Sequence, residues 1–156
     1  MDQQREQAVW QRVRGPGGLT AEEAVLPERL EALILEQQAD AAMLQALSGR
    51  VRGAGRAALS RAAAGTRTQA RELNTLHYLL TGRMLRLQTP PLPKAAPLPE
   101  ALREACLRLR RSAQAFESLK AEFADYGEEF TRFAGQTHAR SRALLRLLGE
   151  QTRPGL

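Results

Sequence analysis

The clearest pattern in the chain is a run of positions, spaced three and four residues apart, that places polar side chains among leucines. It consists of Leu30, Leu33, Gln37, Asp40, Leu44 and Leu47. Such spacing keeps side chains on one face of an α-helix, and residues seven apart lie within about 20° of each other around its axis. The pattern therefore predicts a long helix from about Pro27 to Ser48 that turns Gln37 towards a core.

Three more stretches show the same periodicity, at about residues 56–81, 100–126 and 128–149. In the second helix the inward positions are Leu59, Ala62, Ala63, Thr66, Ala70, Leu73, Leu76 and Leu80. In the third they are Leu102, Leu109, Ala113, Phe116, Leu119 and Phe123. In the fourth they are Phe130, Phe133, Ala134, His138, Leu144, Leu145 and Leu148. Glycines at 82 and 127 are typical of helix ends, and residues 49–55 are predicted to form a loop.

The ends of the chain are expected to lie outside this bundle. Residues 1–14 are predicted to form a short amphipathic helix whose apolar side carries Val9, Trp10 and Val13. A Gly/Pro linker through residue 18 ends that arm. The domain division is thus an arm over 1–18, a bundle over 19–150 and a frayed tail over 151–156.

The lengths of the connections predict the topology. Short loops make the first two helices antiparallel neighbours, and likewise the last two. The middle connection contains Pro90, Pro91, Pro93, Pro97 and Pro99, and in extended form it spans roughly 40–50 Å. A helix of about 23 residues is roughly 35 Å long. The prediction is an all-α four-helix bundle with one long Pro-rich crossover between helices two and three, the ferritin-like arrangement.

Composition narrows the class of protein further. A chain of 156 residues with 43% hydrophobic and 4% aromatic residues is expected to form one domain with a Leu- and Ala-rich helical core. No apolar run approaches the roughly 20 residues of a spanning helix, and the polar start lacks a signal sequence. Cys106 is the only cysteine, so no internal disulfide forms. These features favour a cytoplasmic protein that does not bind membranes.

The net charge of +6 comes with 21 arginines and only two lysines. Such a charge is compatible with a polyanion partner. The arginines are spread along all the helices, and no basic cluster is interleaved with aromatic residues as a single-strand binder requires. A solvated arginine-rich surface is the simpler interpretation, and nucleic acid is not expected as the main partner.

The chain resembles a ferritin-like, rubrerythrin-related family of small bacterial proteins. Four segments carry the resemblance, and together they extend over nearly the whole chain: residues 8–13 (AVWQRV), 37–42 (QQADAA), 73–82 (LNTLHYLLTG) and 138–148 (HARSRALLRLL). The family's di-iron chemistry takes one glutamate from each of helices one and three and a Glu-x-x-His motif from each of helices two and four. Residues three apart share a helix face, so carboxylate and imidazole reach the same metal pair.

The resemblance implies that this chain has lost most of those ligands. The corresponding positions are Gln37, Thr66, Gln69, Leu109, Gly135 and His138. Only the last is an expected ligand, and neutral amide and hydroxyl groups cannot balance two irons. We therefore expect no cofactor, with iron or another transition metal as the alternative.

Two interpretations of the polar positions remain open. A shifted mononuclear site would use Glu36, Glu72 and His138. Alternatively, Gln37, Asp40, Thr66, Gln69 and His138 form a buried cluster whose members hydrogen-bond one another, because buried polar groups are normally paired. His77 is predicted to be partly exposed, and Cys106 to be a half-buried packing residue.

Three functions follow as hypotheses. The preferred one is a non-catalytic scaffold or binding module, self-associating as a homodimer, that keeps the ferritin-like fold without oxidase or peroxidase chemistry. The first alternative is a rubrerythrin-like metal protein with an altered site that acts in iron or peroxide handling. The second is a polyanion- or nucleic-acid-binding module that uses the surface arginines.

Overall fold

Four long helices make up most of the structure, a computed structural model that describes residues 21–88, 90–92 and 94–151. They are α1 (Ala21–Ser48), α2 (Gly53–Thr81), α3 (Leu98–Glu122) and α4 (Gly127–Gln151), with a short 3-10 turn at Ala124–Tyr126. Helix accounts for 85% of the described residues, which include no strand. The all-α prediction is confirmed at this level. The predicted N-terminal arm and nearly all of the tail lie outside the described residues.

The helix ends differ from their predicted positions by a few residues. Helix α1 begins before Pro27, which lies within its second turn, where the missing N–H costs a single backbone hydrogen bond. Helix α2 begins at Gly53, whose φ of 63° makes the sharp turn after residues 49–52, so the loop is shorter than predicted. Phe123 ends α3, and the 3-10 turn then carries Tyr126 into the core.

Helix α1 runs antiparallel to both of its neighbours. Towards α2, Glu31 contacts His77 and Gln45 contacts Arg67, so residue numbers rise on one helix as they fall on the other. The contacts with α3 show the same direction. Arg29 pairs with Glu122 and Asp40 pairs with Arg108, so residue numbers rise along α1 as they fall along α3. It follows that α2 and α3 point in the same direction.

Helix α4 completes the bundle by packing antiparallel to α2 and α3. Glu72 pairs with Arg132, and Gly65 lies against Arg140, which fixes the direction relative to α2. Because α2 and α3 are parallel, residues 82–97 must carry the chain back along the bundle. Sixteen extended residues reach about 50 Å, and the 29-residue α2 is about 44 Å long, so the connection is sufficient.

The start of this crossover is attached to α2. Gly82 adopts a left-handed conformation with φ 76°, and its N–H bonds the Tyr78 carbonyl. The chain then turns back along α2, where the Asn74 amide donates to the Leu85 carbonyl and accepts from the Leu85 N–H, both at 2.9 Å. One buried side chain thus replaces both backbone partners that a strand would have supplied.

The core consists of two hydrophobic clusters placed one above the other along the bundle. We call the first the aromatic cluster, since it contains Phe116, Phe123, Tyr126, Phe130 and Phe133. The second, the aliphatic cluster, is built from leucines and alanines around Cys106. All of the predicted inward positions of the first three helices are buried. No helix in the described ranges is both long and apolar enough to cross a membrane.

The predicted inward stripe of α4 is partly wrong. Leu145 is exposed, Leu148 is half-buried, and Leu147 is buried in their place. Thr137 and Ser141 take inward positions that the sequence analysis had not assigned. Adjacent residues differ by about 100° around a helix, so an error of one residue is enough to exchange a core position for a surface one.

Replacing Asn74 tests how the crossover is held. Asn74→Ala leaves the N–H and the C=O of Leu85 without their partner, and it should lower the free energy of unfolding by about 1–3 kcal/mol. Urea denaturation of the full chain measures this loss. Thr75→Ala, on the exposed side of the same helix, is the matched control. Equal stability of the alanine variant and the wild type would contradict this role.

Candidate functional site

Polar side chains fill the middle of the bundle, between the aromatic and aliphatic clusters. We call this group the central polar layer, and all four helices contribute to it: Gln37, Asp40, Thr66, Gln69, Ser112, Thr137 and Ser141. Each of these residues is buried. A buried polar group is stabilised only when it is hydrogen-bonded, so the partners of each member decide what the layer can do.

Gln69 joins α2 to α4 within this layer. Its Nε2 donates to the Phe133 carbonyl at 3.1 Å, and its Oε1 accepts from Thr137 Oγ1 at 3.1 Å and from Arg140 Nη1 at 2.9 Å. Thr137 Oγ1 also lies 2.8 Å from the Phe133 carbonyl. The oxygen of Gln69 therefore accepts from the charged Arg140 guanidinium, and it shares the single hydroxyl proton of Thr137 with the Phe133 carbonyl.

Arg140 reaches the layer because α2 has no side chain at residue 65. A Cβ on Gly65 would lie 2.8 Å from Arg140 Nη2, so the glycine makes room for the guanidinium. Burial lowers the pKa of Arg140, and the nearby carboxylate of Glu72 acts in the opposite direction. The guanidinium places a positive charge beside the layer on its α2–α4 side.

Asp40 performs the corresponding role between α1 and α3. Arg108 Nε donates to its Oδ1 at 2.8 Å, and Ser112 Oγ lies 3.4 Å from Oδ2. Burial raises the pKa of the Asp40 carboxyl, while the hydrogen bonds from Arg108 and Ser112 and the charge of Arg108 lower it. The only carboxylate in the layer is thus tied to a positive charge of its own.

Gln37 differs from the other members of the layer. Its side chain is completely buried, and neither its Nε2 nor its Oε1 has a hydrogen-bond partner in the described part of the chain. Thr66, another neutral member that the sequence analysis placed at the centre, donates to the Ala62 carbonyl at 2.8 Å. An unpaired buried amide costs about 1–3 kcal/mol, so Gln37 is the least favourable member of the layer.

Four of the six positions carried over from the family resemblance lie where the sequence analysis expected them. Gln37, Thr66, Gln69 and Leu109 are all buried at the bundle centre. The structure brings the first three of these into the central polar layer. Leu109 instead belongs to the aliphatic cluster, where its side chain contributes only packing.

The two predicted positions on α4 are wrong. Gly135 is exposed, with open space around its Cα, and His138 is 39% exposed with Nε2 3.9 Å from Glu117. His138 therefore takes no part in the buried cluster predicted for it. The residues at the inward places are Ala134 and Thr137, which again differ by one position from the predicted pair.

The shifted ligands do not come together. Glu36 is exposed beside the cleft between α1 and α3, Glu72 pairs with Arg132 on the α2–α4 side at 2.6 Å, and His138 faces Glu117 between α3 and α4. Three different grooves thus hold the three side chains. Across the described ranges, no three His, Cys, Asp or Glu side chains are grouped as metal ligands.

His77 was predicted to be partly exposed, and this is wrong. The ring is 1% exposed, with Nε2 3.0 Å from Glu31 Oε1 and Nδ1 3.0 Å from the Arg83 carbonyl. Thr81 Oγ1 also lies 3.4 Å from Nδ1, so hydrogen-bonding groups of α1, α2 and the start of the crossover surround the ring. The sequence held the signal: His77 lies four residues after Leu73 and three before Leu80, on the inward stripe of α2.

A di-iron centre does not fit the donors of the central polar layer. Amides and hydroxyls outnumber its one carboxylate, and the guanidinium groups of Arg108 and Arg140 approach it from opposite sides. A pair of divalent cations needs several anionic oxygens to balance its charge. Cys106 adds no ligand to this layer, because it is buried in the aliphatic cluster and burial raises the pKa of its thiol.

Comparison of the chain with protein-family models, with curated proteins and with solved structures finds no match.

Thr137 and His138 provide an adjacent pair for testing this geometry. Thr137→Val keeps the shape but removes the donor to Gln69, and it should lower the free energy of unfolding by about 1–2 kcal/mol. His138→Ala, on the surface, should change it by less than about 0.5 kcal/mol. Chemical denaturation compares the two. A larger loss for His138→Ala than for Thr137→Val would support the orientation predicted from the sequence, in which His138 faces the core.

The raised pKa of Asp40 predicts a dependence of stability on pH. The folded chain holds a proton on Asp40 more tightly than the unfolded chain, whose carboxyl titrates near 3.8. The tighter binding of this proton stabilises the folded chain in full below that pH. This stabilisation is lost as the pH rises through the folded-state pKa of Asp40. Relative to Asp40→Asn, the wild type should lose unfolding free energy as the pH rises from about 4 through the raised folded-state pKa of Asp40. A constant difference between the two proteins would contradict the prediction.

Proposed function

We propose that the chain is a ferritin-like four-helix bundle that serves as a non-catalytic scaffold or binding module, without the di-iron centre of the ferritin-like class. The direction of the four helices and the long crossover support the fold assignment. The single observation that carries the function is the donor set of the central polar layer: its one carboxylate is held by Arg108.

The electrostatics of the layer support this proposal. Metal ligands must be free to turn their lone pairs towards the ion, but Asp40 and Gln69 already accept hydrogen bonds from Arg108 and Arg140. An entering cation would have to displace two guanidinium groups while gaining one carboxylate. The same hydrogen bonds join α1 to α3 and α2 to α4, which is a structural use for residues at this height.

The proposal extends to the state of the protein in the cell. We propose a cytoplasmic homodimer, and a single cysteine is typical of proteins in a reducing compartment. Exposed leucines at 107 and 145 on α3 and α4 are candidates for a contact between copies. Sedimentation of the full chain measures the association.

Elemental analysis tests the proposal. The full chain, produced with iron in the medium and purified without chelators, should retain well below one transition-metal ion per molecule, because its central donors are neutral or already paired. About two irons per chain would overturn the proposal. His138→Ala and Glu72→Gln are the matched controls for a shifted site: a metal content that falls in both variants would establish the altered metal protein instead.

A further inference from the structure

A cleft of about 300 Å³ lies where α1 ends, α3 begins and the crossover passes beside them. It shares no lining residue with the central polar layer. Most of its lining is apolar, with Met43, Leu47, Leu92 and four alanines on its walls. A volume of this size is at the lower end of the range for small-molecule sites, about 300–1,000 Å³.

The cleft is open because its walls carry small side chains. Ala46 on α1, Ala96 on the crossover and Ala101 on α3 all face it, and larger residues at these positions would fill it. Leu92 borders the same space and is 54% exposed. A ligand that covered these side chains would gain the free energy of removing apolar surface from water.

Four charged side chains border this apolar floor. Arg50 lies just beyond α1 and Lys94 lies on the crossover, whereas Glu100 and Glu104 are one turn apart on α3. None of the four forms an ion pair with another residue in the described part of the chain, even though both signs line the same cleft. The basic charges stand on two walls and the acidic charges on the third.

We propose that this cleft binds a small zwitterion with an aliphatic body, of the size and chemistry of a free aliphatic amino acid. Its ammonium group faces Glu100 and Glu104, and its carboxylate faces Arg50 and Lys94. Its side chain covers Leu47 and Leu92. The inference rests on the proposed function, since it names the ligand class of the binding module.

Calorimetric titration of the full chain tests the ligand chemistry. The probes are L-leucine, 4-methylpentanoate and 3-methylbutylamine, which share an aliphatic body and differ in the charges they carry. Leucine should bind at least about tenfold more tightly than either analogue, because each analogue loses one charge-assisted contact. Equal affinity of all three probes, or no detectable binding of leucine, would overturn the proposal.

Substitutions locate the site. Glu100→Gln should weaken leucine binding by about tenfold while leaving 4-methylpentanoate unchanged, since only the ammonium contact is lost. Glu150→Gln, an exposed change on α4, is the matched control and should affect neither probe. Ala96→Leu should abolish leucine binding by filling the cleft, with an unchanged circular dichroism spectrum as evidence of folding. Wild-type affinity in both cleft variants would contradict the location.

The two proposals fail separately. Two irons per chain would refute the scaffold function whatever the calorimetry gives. A metal-poor protein without charge-dependent leucine binding would refute only the assignment of the cleft.

Discussion

The fold depends on polar contacts halfway along the bundle. They connect the hairpin formed by α1 and α2 to the hairpin formed by α3 and α4. Gln69 provides this contact between α2 and α4, through Phe133, Thr137 and Arg140. The Asp40–Arg108 pair provides it between α1 and α3. Within each hairpin the packing is extensive and apolar, but between hairpins the central contacts are hydrogen bonds. Because hydrogen bonds are directional, they specify how one hairpin is aligned on the other within an apolar core to which all four helices contribute.

The direction of the crossover follows from the same arrangement. With α1 antiparallel to both α2 and α3, the chain has to return along the bundle between its second and third helices. Prolines favour an extended path for this return, and the bidentate contact of Asn74 with Leu85 fixes where it begins. His77 adds a second attachment by joining α1 and the Arg83 carbonyl through one ring. The beginning of the long connection is therefore attached to α2 at two residues, Arg83 and Leu85.

The sequence predicts the fold class and most of the core because leucines and alanines recur at three- and four-residue spacing. In α1 the inward polar pair Gln37 and Asp40 was predicted correctly, since leucines flank it on the same stripe. In α4 the pattern is ambiguous: Leu144, Leu145, Leu147 and Leu148 occupy two overlapping stripes. Only the packing against α2 and α3 selects the stripe that contains Leu144 and Leu147. The same orientation of α4 turns Thr137, and not His138, towards the core.

Some features of the site have no signature in a single sequence. The place of Arg140 depends on the distance between α2 and α4 at Gly65, which no local pattern encodes. That Gln37 has no partner among the described residues likewise depends on which side chains the three other helices place at the centre. The cleft beside the crossover arises from alanines on three separate segments. Each of these features is a relation between elements, and it becomes visible only in the assembled bundle.

The alternation of an aromatic cluster, a polar layer and an aliphatic cluster has a consequence for alignment along the bundle axis. Leucine faces are nearly interchangeable, so a hairpin displaced by one helical turn, about 5.4 Å, would still find apolar neighbours. The same displacement would bury Gln69 and Asp40 among apolar side chains and leave their polar atoms without hydrogen-bond partners. The central polar layer thus disfavours sliding of the hairpins along the bundle axis and selects a single axial alignment between them.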